Sequence, residues 1–124
     1  MSIRAAIKKD LIRCEELFKL PEFFTPNGEY IKAKWLIEYL DESYFLVAEE
    51  EDKIIGALYG EVLKGKGVIL WLLAVEQEYR KLGVGTAVLK QFENNAANNG
   101  SRWVILYSST YSDKTLKFYK DICI

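Results

Sequence analysis

The densest apolar stretch of the chain covers residues 68–75, where nearly every side chain is large and nonpolar. Such a run predicts a strand covered on both faces rather than one facing water. Upstream, residues 3–8 read as a short first strand. A helix follows, with Asp10 as its N-cap, Leu11, Ile12, Cys14, Leu17 and Phe18 on its apolar face, and Pro21 as its stop. Residues 30–40 read as a second helix, with Ile31, Trp35 and Tyr39 on one line, Leu36 and Leu40 beside it, and most of that stripe turned to the core. Residues 44–48 and 54–63 are strands joined by the charged turn 49–53. Gly56 and Gly60 interrupt the second of them, and Lys64-Gly65-Lys66-Gly67 turns it back into the 68–75 strand. Three strands therefore meander antiparallel.

Beyond them, Val84, Val88, Phe92 and Ala96 recur at four-residue intervals beside Leu89, one apolar stripe of a helix that Asn98-Asn99-Gly100 stops. Residues 102–107, with Trp103, Val104, Ile105 and Leu106, form a strand that follows a helix and so is expected parallel to 68–75 through a crossover. Ser112 caps a last helix holding Leu116, Phe118, Tyr119 and Ile122. The predicted order is β-α-α-β-β-β-α-β-α: an α+β fold with one parallel pair.

Size and charge narrow the function. With 124 residues, half of them apolar, the chain has material for one domain, residues 1–124. Seventeen basic against eighteen acidic residues argue against a surface built for nucleic acid. There is no histidine, so acid–base chemistry must use Glu, Asp, Tyr, Cys, Lys or water. Cys14 and Cys123 lie far apart with no Cys-x-x-Cys spacing and no secretory signal before them, which suggests free thiols, a cytoplasmic setting and no metal site. Cys14 is expected in the core. Apolar runs fall short of the roughly 20 residues of a spanning helix, so no membrane association is expected. Phe23 and Phe24, in a loop bounded by Pro21 and Pro26, could line a substrate groove or pack beneath the loop. The acidic run 49–52 reads as a solvated turn.

The chemistry concentrates after the 68–75 strand, in Tyr79-Arg80-Lys81-Leu82-Gly83-Val84-Gly85-Thr86. A strand, a turn with two glycines and a helix bring several unpaired backbone N–H groups to one point. Glycines let an anion approach the main chain, the helix N-terminus adds partial positive charge, and Arg80 and Lys81 add full charges. A Walker loop needs a Gly-Lys-Ser/Thr ending, and a dinucleotide fingerprint needs a third glycine where Val88 stands, so neither applies. A plain turn whose glycines only relieve strain remains an alternative.

Arg80-x-x-Gly83-x-Gly85 after Ala74-Val75 resembles the acetyl-coenzyme A loop of the GNAT superfamily of N-acetyltransferases. The segment 75–89 is similar to that family's V-x-P-x-Y-R-x-x-G-x-G run, with Gln77 at the proline. The element order is also that of a GNAT domain, so the resemblance covers the whole chain. It implies a mixed, mostly antiparallel sheet with one splayed parallel pair, flanked by helices. By position, Leu73, Ala74 and Val75 would offer backbone groups to the pantetheine arm, while Arg80, Lys81, Leu82, Gly83, Val84, Gly85 and Thr86 would hold the pyrophosphate. Ser112 stands where a pantetheine-binding asparagine is frequent. Tyr119, in a Phe118-Tyr119 pair, would act as general acid toward the leaving thiolate. Trp71 stands near the position of the family's frequent glutamate base, and Glu61 on the neighbouring strand is the nearest substitute.

The segment 118–124 resembles F-Y-E-K-L-G-F with Cys123 at the glycine, and the family's closing strands have no counterpart after it. The implied fold is thus C-terminally shortened. The bare edge of 102–107 would then invite a partner's strand, as in a homodimer. The implied activity is direct transfer of an acetyl group from acetyl-coenzyme A to a small-molecule or peptide amine in an ordered ternary complex. The rival readings are a non-catalytic module that binds coenzyme A or a protein partner, and a small oligomer-forming regulator that binds no cofactor.

Overall fold

The computed structural model describes residues 1–20, 27–63 and 67–106 of the chain. Five strands, β1 (Ser2–Ala5), β2 (Phe45–Glu50), β3 (Lys53–Val62), β4 (Gly67–Val75) and β5 (Trp103–Leu106), form one sheet in the order β1-β2-β3-β4-β5. Pairing is antiparallel from β1 to β4 and parallel between β4 and β5, as the chain order predicts. The last helix expected after Ser112 and the loop bearing Phe23 and Phe24 lie outside the described residues.

Alternation along β2 and β3 divides the core between the two faces of the sheet. Phe45, Val47, Ala57 and Tyr59 face helices α1 (Leu11–Phe18) and α2 (Ala33–Leu36), packing on Cys14, Leu17, Phe18 and Leu36. Leu46, Ala48, Ile55 and Leu58 face the other way, onto α3 (Val84–Asn98), whose Val84, Val88, Leu89, Phe92 and Ala96 are all buried, as their spacing predicts. Burying each large apolar side chain contributes about 1.5–3 kcal/mol. Gly60 does not interrupt β3. A Cβ there would run into the Ile69 backbone carbonyl of β4 and then meet the Phe92 ring at 2.9 Å, so the glycine admits both the neighbouring strand and α3. The β2–β3 turn puts Glu51 and Asp52 at φ 49° and 64°, the paired left-handed geometry of a tight hairpin matched to strand twist. Helix α3 ends with Ser101 N–H donating to the Ala96 carbonyl at 2.9 Å and Gly100 N–H to that of Ala97 at 3.1 Å, closing its last carbonyls.

Three local expectations are corrected. Asp10 does not cap α1 through its side chain. It accepts instead from Ile7 N–H at 2.9 Å and from both terminal nitrogens of Arg4 at 2.7 and 3.1 Å. The second helix is one α turn, α2, followed by a 3₁₀ turn, Ile37–Tyr39. Of the expected stripe, Leu36 is fully buried and Ile31, Tyr39 and Leu40 pack against the core, but Trp35 is 44% exposed. On α1, Cys14 is buried and burial pushes its thiol up to about 12, whereas Ile12 lies on the solvent side.

Candidate functional site

Strand β4 is uniform in sequence but not in its surroundings. Residues 67–70 pair with 103–106 of β5, and Val68 and Leu70 there have no exposed surface. From 71 to 75 the strand keeps β3 on one side and, among the described residues, has no strand on the other. Trp71, Leu72, Leu73 and Val75 are accordingly half-buried. This open edge leads to the glycine turn. It is the half of β4 that carries Leu73, Ala74 and Val75.

The turn itself is built by backbone geometry. A 3₁₀ turn, Gln77–Tyr79, leaves β4, Arg80 is extended, and Lys81 and Gly83 take left-handed φ values of 69° and 84° before α3 begins at Val84. A left-handed lysine costs about 1–2 kcal/mol, an outlier that clusters at functional sites. A Cβ on Gly83 would meet nothing within 4 Å, so its conformation, not crowding, calls for glycine. Among the described residues the amides of Gly83, Val84, Gly85 and Thr86 have no acceptor, and the first helical bond is Ala87 N–H to Gly83 O at 3.0 Å. Arg80, Lys81, Leu82, Gly83 and Thr86 are exposed, while Val84 and Gly85 are buried against the sheet. Arg80 Nε donates to the Val75 carbonyl at 3.0 Å, tying the turn back to the end of β4. The result is a set of N–H donors without acceptors among the described residues, with two exposed cations beside it, suited to a phosphate group.

On the opposite face of the sheet from α3, the β3–β4 ladder slips. Gly60 pairs with Leu70 but Tyr59 with Leu72, leaving Trp71 as the extra residue of a β-bulge. The bulge turns both Trp71 and Leu72 toward the α1–α2 side, where both pack on its core. Trp71 Nε1 then donates to Glu61 Oε1 at 2.9 Å. Beneath them Tyr59 is buried among Phe18, Tyr39 and Phe45, with ring centroids 5.5, 4.9 and 5.7 Å away. Burial, then Tyr39 and Glu61, push the Tyr59 phenol above its ordinary value.

One supporting network has no signature in the sequence. Glu76, between β4 and the turn, pairs with Arg13 of α1 at 3.0 Å and Lys53 of β3 at 3.1 Å, and Arg13 Nε also donates to the Ile54 carbonyl. The Lys53 hydrogen bond, then Arg13, hold its carboxyl below the usual range against the cost of burial. Charges so far apart in the chain give no periodic signal. Tyr119 and Ser112 lie outside the described residues. The structure brings Glu61 and Trp71 together, and gathers 80–86 at the end of the open edge.

The model of the acetyltransferase (GNAT) family matches residues 9–123. The chain belongs to this family. An uncharacterized N-acetyltransferase of Methanocaldococcus jannaschii is 33% identical over 98% of this chain and 85% of its own. Among solved structures, Ard1 from Thermoplasma volcanium superposes with a TM-score of 0.80 at 24% identity, over 97% of this chain and 79% of its own. A Mycobacterium tuberculosis protein, Rv2747, solved with CoA and NLQ, gives 0.78 at 18% identity over 97% and 70%. These structures share the GNAT fold with this chain. Among its described residues, no helix is long and apolar enough to cross a membrane.

Proposed function

We propose that this GNAT chain is a single-domain, cytoplasmic enzyme that transfers an acetyl group from acetyl-coenzyme A directly to a small-molecule or peptide amine within an ordered ternary complex. The observation that carries this reading is the run of four amides, Gly83 to Thr86, that have no acceptor among the described residues, at the end of a strand that has no described strand on its outer edge from residue 71. The amides and Arg80, Lys81, Leu82 and Thr86 around them would take the pyrophosphate, and Leu73, Ala74 and Val75 the pantetheine arm. Coenzyme binding in the Rv2747 structure supports the same use of the fold. Bound acetyl-coenzyme A supplies the thioester. The chain's work is alignment, acceptance of the amine's proton and return of a proton to sulfur as the C–N bond forms and the C–S bond breaks. Glu61, on the side of the sheet away from α3, is our candidate for the first proton, and Tyr119 for the second. Ser112 would donate to the pantetheine. Near-balanced charge argues against nucleic acid as a partner. The side of β5 away from β4 carries no strand among the described residues, and with Trp103 and Ile105 exposed and no charge within the strand it suits pairing with a second copy, which light scattering over a dilution series tests.

The experiment on the main reading is calorimetric titration of coenzyme A into wild type and Gly85→Val. The expected result is binding by the wild type and none by a variant with unchanged circular dichroism; equal binding overturns the pyrophosphate assignment. Tyr119→Phe should then slow thiol release by about 10²–10⁴-fold. Trp71 at the family's frequent base position favours a second reading, a module that binds coenzyme A without turnover. Coenzyme binding with no thiol release across an amine panel would select it.

A further inference from the structure

Four of the carboxylates set into the surface of this chain are answered by a cation; the half-buried Glu15, Glu61 and Glu93 have none among the described residues, and of these Glu61 is the one beside the open stretch of β4. Asp10 and Glu49 share Arg4, Glu50 meets the N-terminal ammonium at 3.4 Å, and Glu76 is held between Arg13 and Lys53. Glu61 is also half-buried, yet among the described residues it has no cationic partner. One of its oxygens accepts the Trp71 indole N–H at 2.9 Å, and the other has no donor among the described residues. A half-buried carboxylate left in that state is unfavourable unless a cation or water answers it.

Its position says what kind of cation. The bulge that turns Trp71 toward Glu61 falls where β4 parts from β5, since Leu70 is the last β4 residue paired with β5 and Trp71 the first on the open edge. The anion-suited amides lie on the α3 side at the far end of that edge, so a donor held there and an acceptor at Glu61 would approach the gap from opposite faces. The surroundings of Glu61 are aromatic: Trp71 is bonded to it, and Tyr59, whose ring packs tilted against that of Tyr39 at 4.9 Å, is near enough to feel its charge. A carboxylate among aromatic rings is a setting for an organic cation.

We propose that Glu61, oriented by Trp71, is the subsite that recognises the acceptor as an ammonium ion, so that the acceptor class is alkylamines charged at neutral pH rather than arylamines or amines flanked by a carboxylate. The inference rests on the acetyl-transfer reading and narrows its substrate. Reference carboxylic acids and alkylammonium ions differ by about six pKa units, a gap that favours the held ion pair until the proton leaves. Recognition therefore precedes deprotonation at this group, and Trp71 is a positioning residue that fixes the carboxylate. An aniline, neutral at pH 7, would present no charge to Glu61. An amino acid would bring its own carboxylate against it.

The Trp71 indole N–H offers a direct readout in a ¹⁵N–¹H spectrum, assigned by its loss in Trp71→Phe. With coenzyme A bound, n-butylammonium should shift that signal saturably, while n-butanol and an equal ionic strength of sodium chloride should not. Glu61→Gln keeps an oxygen for the indole but loses the charge. It should weaken butylammonium about tenfold or more while binding coenzyme A like the wild type. A signal that ignores butylammonium, follows butanol equally, or responds unchanged in Glu61→Gln would overturn the proposal. Failure of coenzyme A to bind the wild type would instead sink the acetyl-transfer reading beneath it.

Discussion

Asp10, beside β1, and Glu61, beside the open stretch of β4, are both carboxylates set into largely apolar surroundings, and the fold treats them in opposite ways. Asp10 is 4% exposed and both its oxygens are taken, by Arg4 in a fork and by the Ile7 amide, while Arg4 reaches on to Glu49 at 3.0 Å. Glu61 has one indole bond and no counter-ion among the described residues. The first region closes its electrostatics within the chain and so serves stability. The second leaves a charge unanswered beside an open strand edge, which costs stability and makes sense where a ligand completes it.

The comparison is most exposed to Asp10→Ala. Removing one partner of a buried ion pair can cost 3–5 kcal/mol, and about 3 kcal/mol is expected here, because Arg4 is part-exposed and keeps Glu49. Urea unfolding measures it, and a loss below about 1 kcal/mol would erase the contrast with Glu61. Acid should sharpen the same point. Burial raises the Asp10 pKa, but Arg4, then the Ile7 amide, outweigh it and hold the carboxyl below its ordinary 3.8. A depressed carboxylate stabilises the fold above its unfolded value and loses that contribution as pH falls through the folded one. The gap between wild type and Asp10→Ala should therefore be full at pH 7 and narrow below about pH 4.

Smaller effects are expected toward the open edge. Gly83→Ala should cost about 1–2 kcal/mol through its left-handed φ alone, with nothing crowded. Gly83→Asn should cost less, since asparagine tolerates that region; equal losses would point to packing instead. Glu61→Gln, by contrast, should change stability by no more than about 0.5 kcal/mol and register mainly in amine binding. A large destabilisation there would make Glu61 a structural group like Asp10.

Much of this was legible from periodicity. The stripe Val84, Val88, Phe92, Ala96 is a local property of a helix, and all four are buried where their spacing put them. The Arg80-x-x-Gly83-x-Gly85 turn, between an apolar run and that stripe, identified the family from residues adjacent in the chain. Where the helix proved to be one α turn and a 3₁₀ turn, the reading failed at Trp35, which is exposed although Leu36 beside it is buried as expected.

What the sequence determined by itself, then, is what neighbours along the chain dictate: the succession of elements, the α3 stripe and the glycine turn. Tertiary structure decided what depends on pairing between elements. The apolar run of β4 carries no mark of where β5 stops accompanying it. Nothing in Trp71 or Glu61 alone announces the bulge that joins them, because register is a property of two strands and one extra residue reverses which face a side chain takes. The same holds for Arg13, Lys53 and Glu76, whose attraction exists only once α1, β3 and the end of β4 have been brought within a few ångströms of one another.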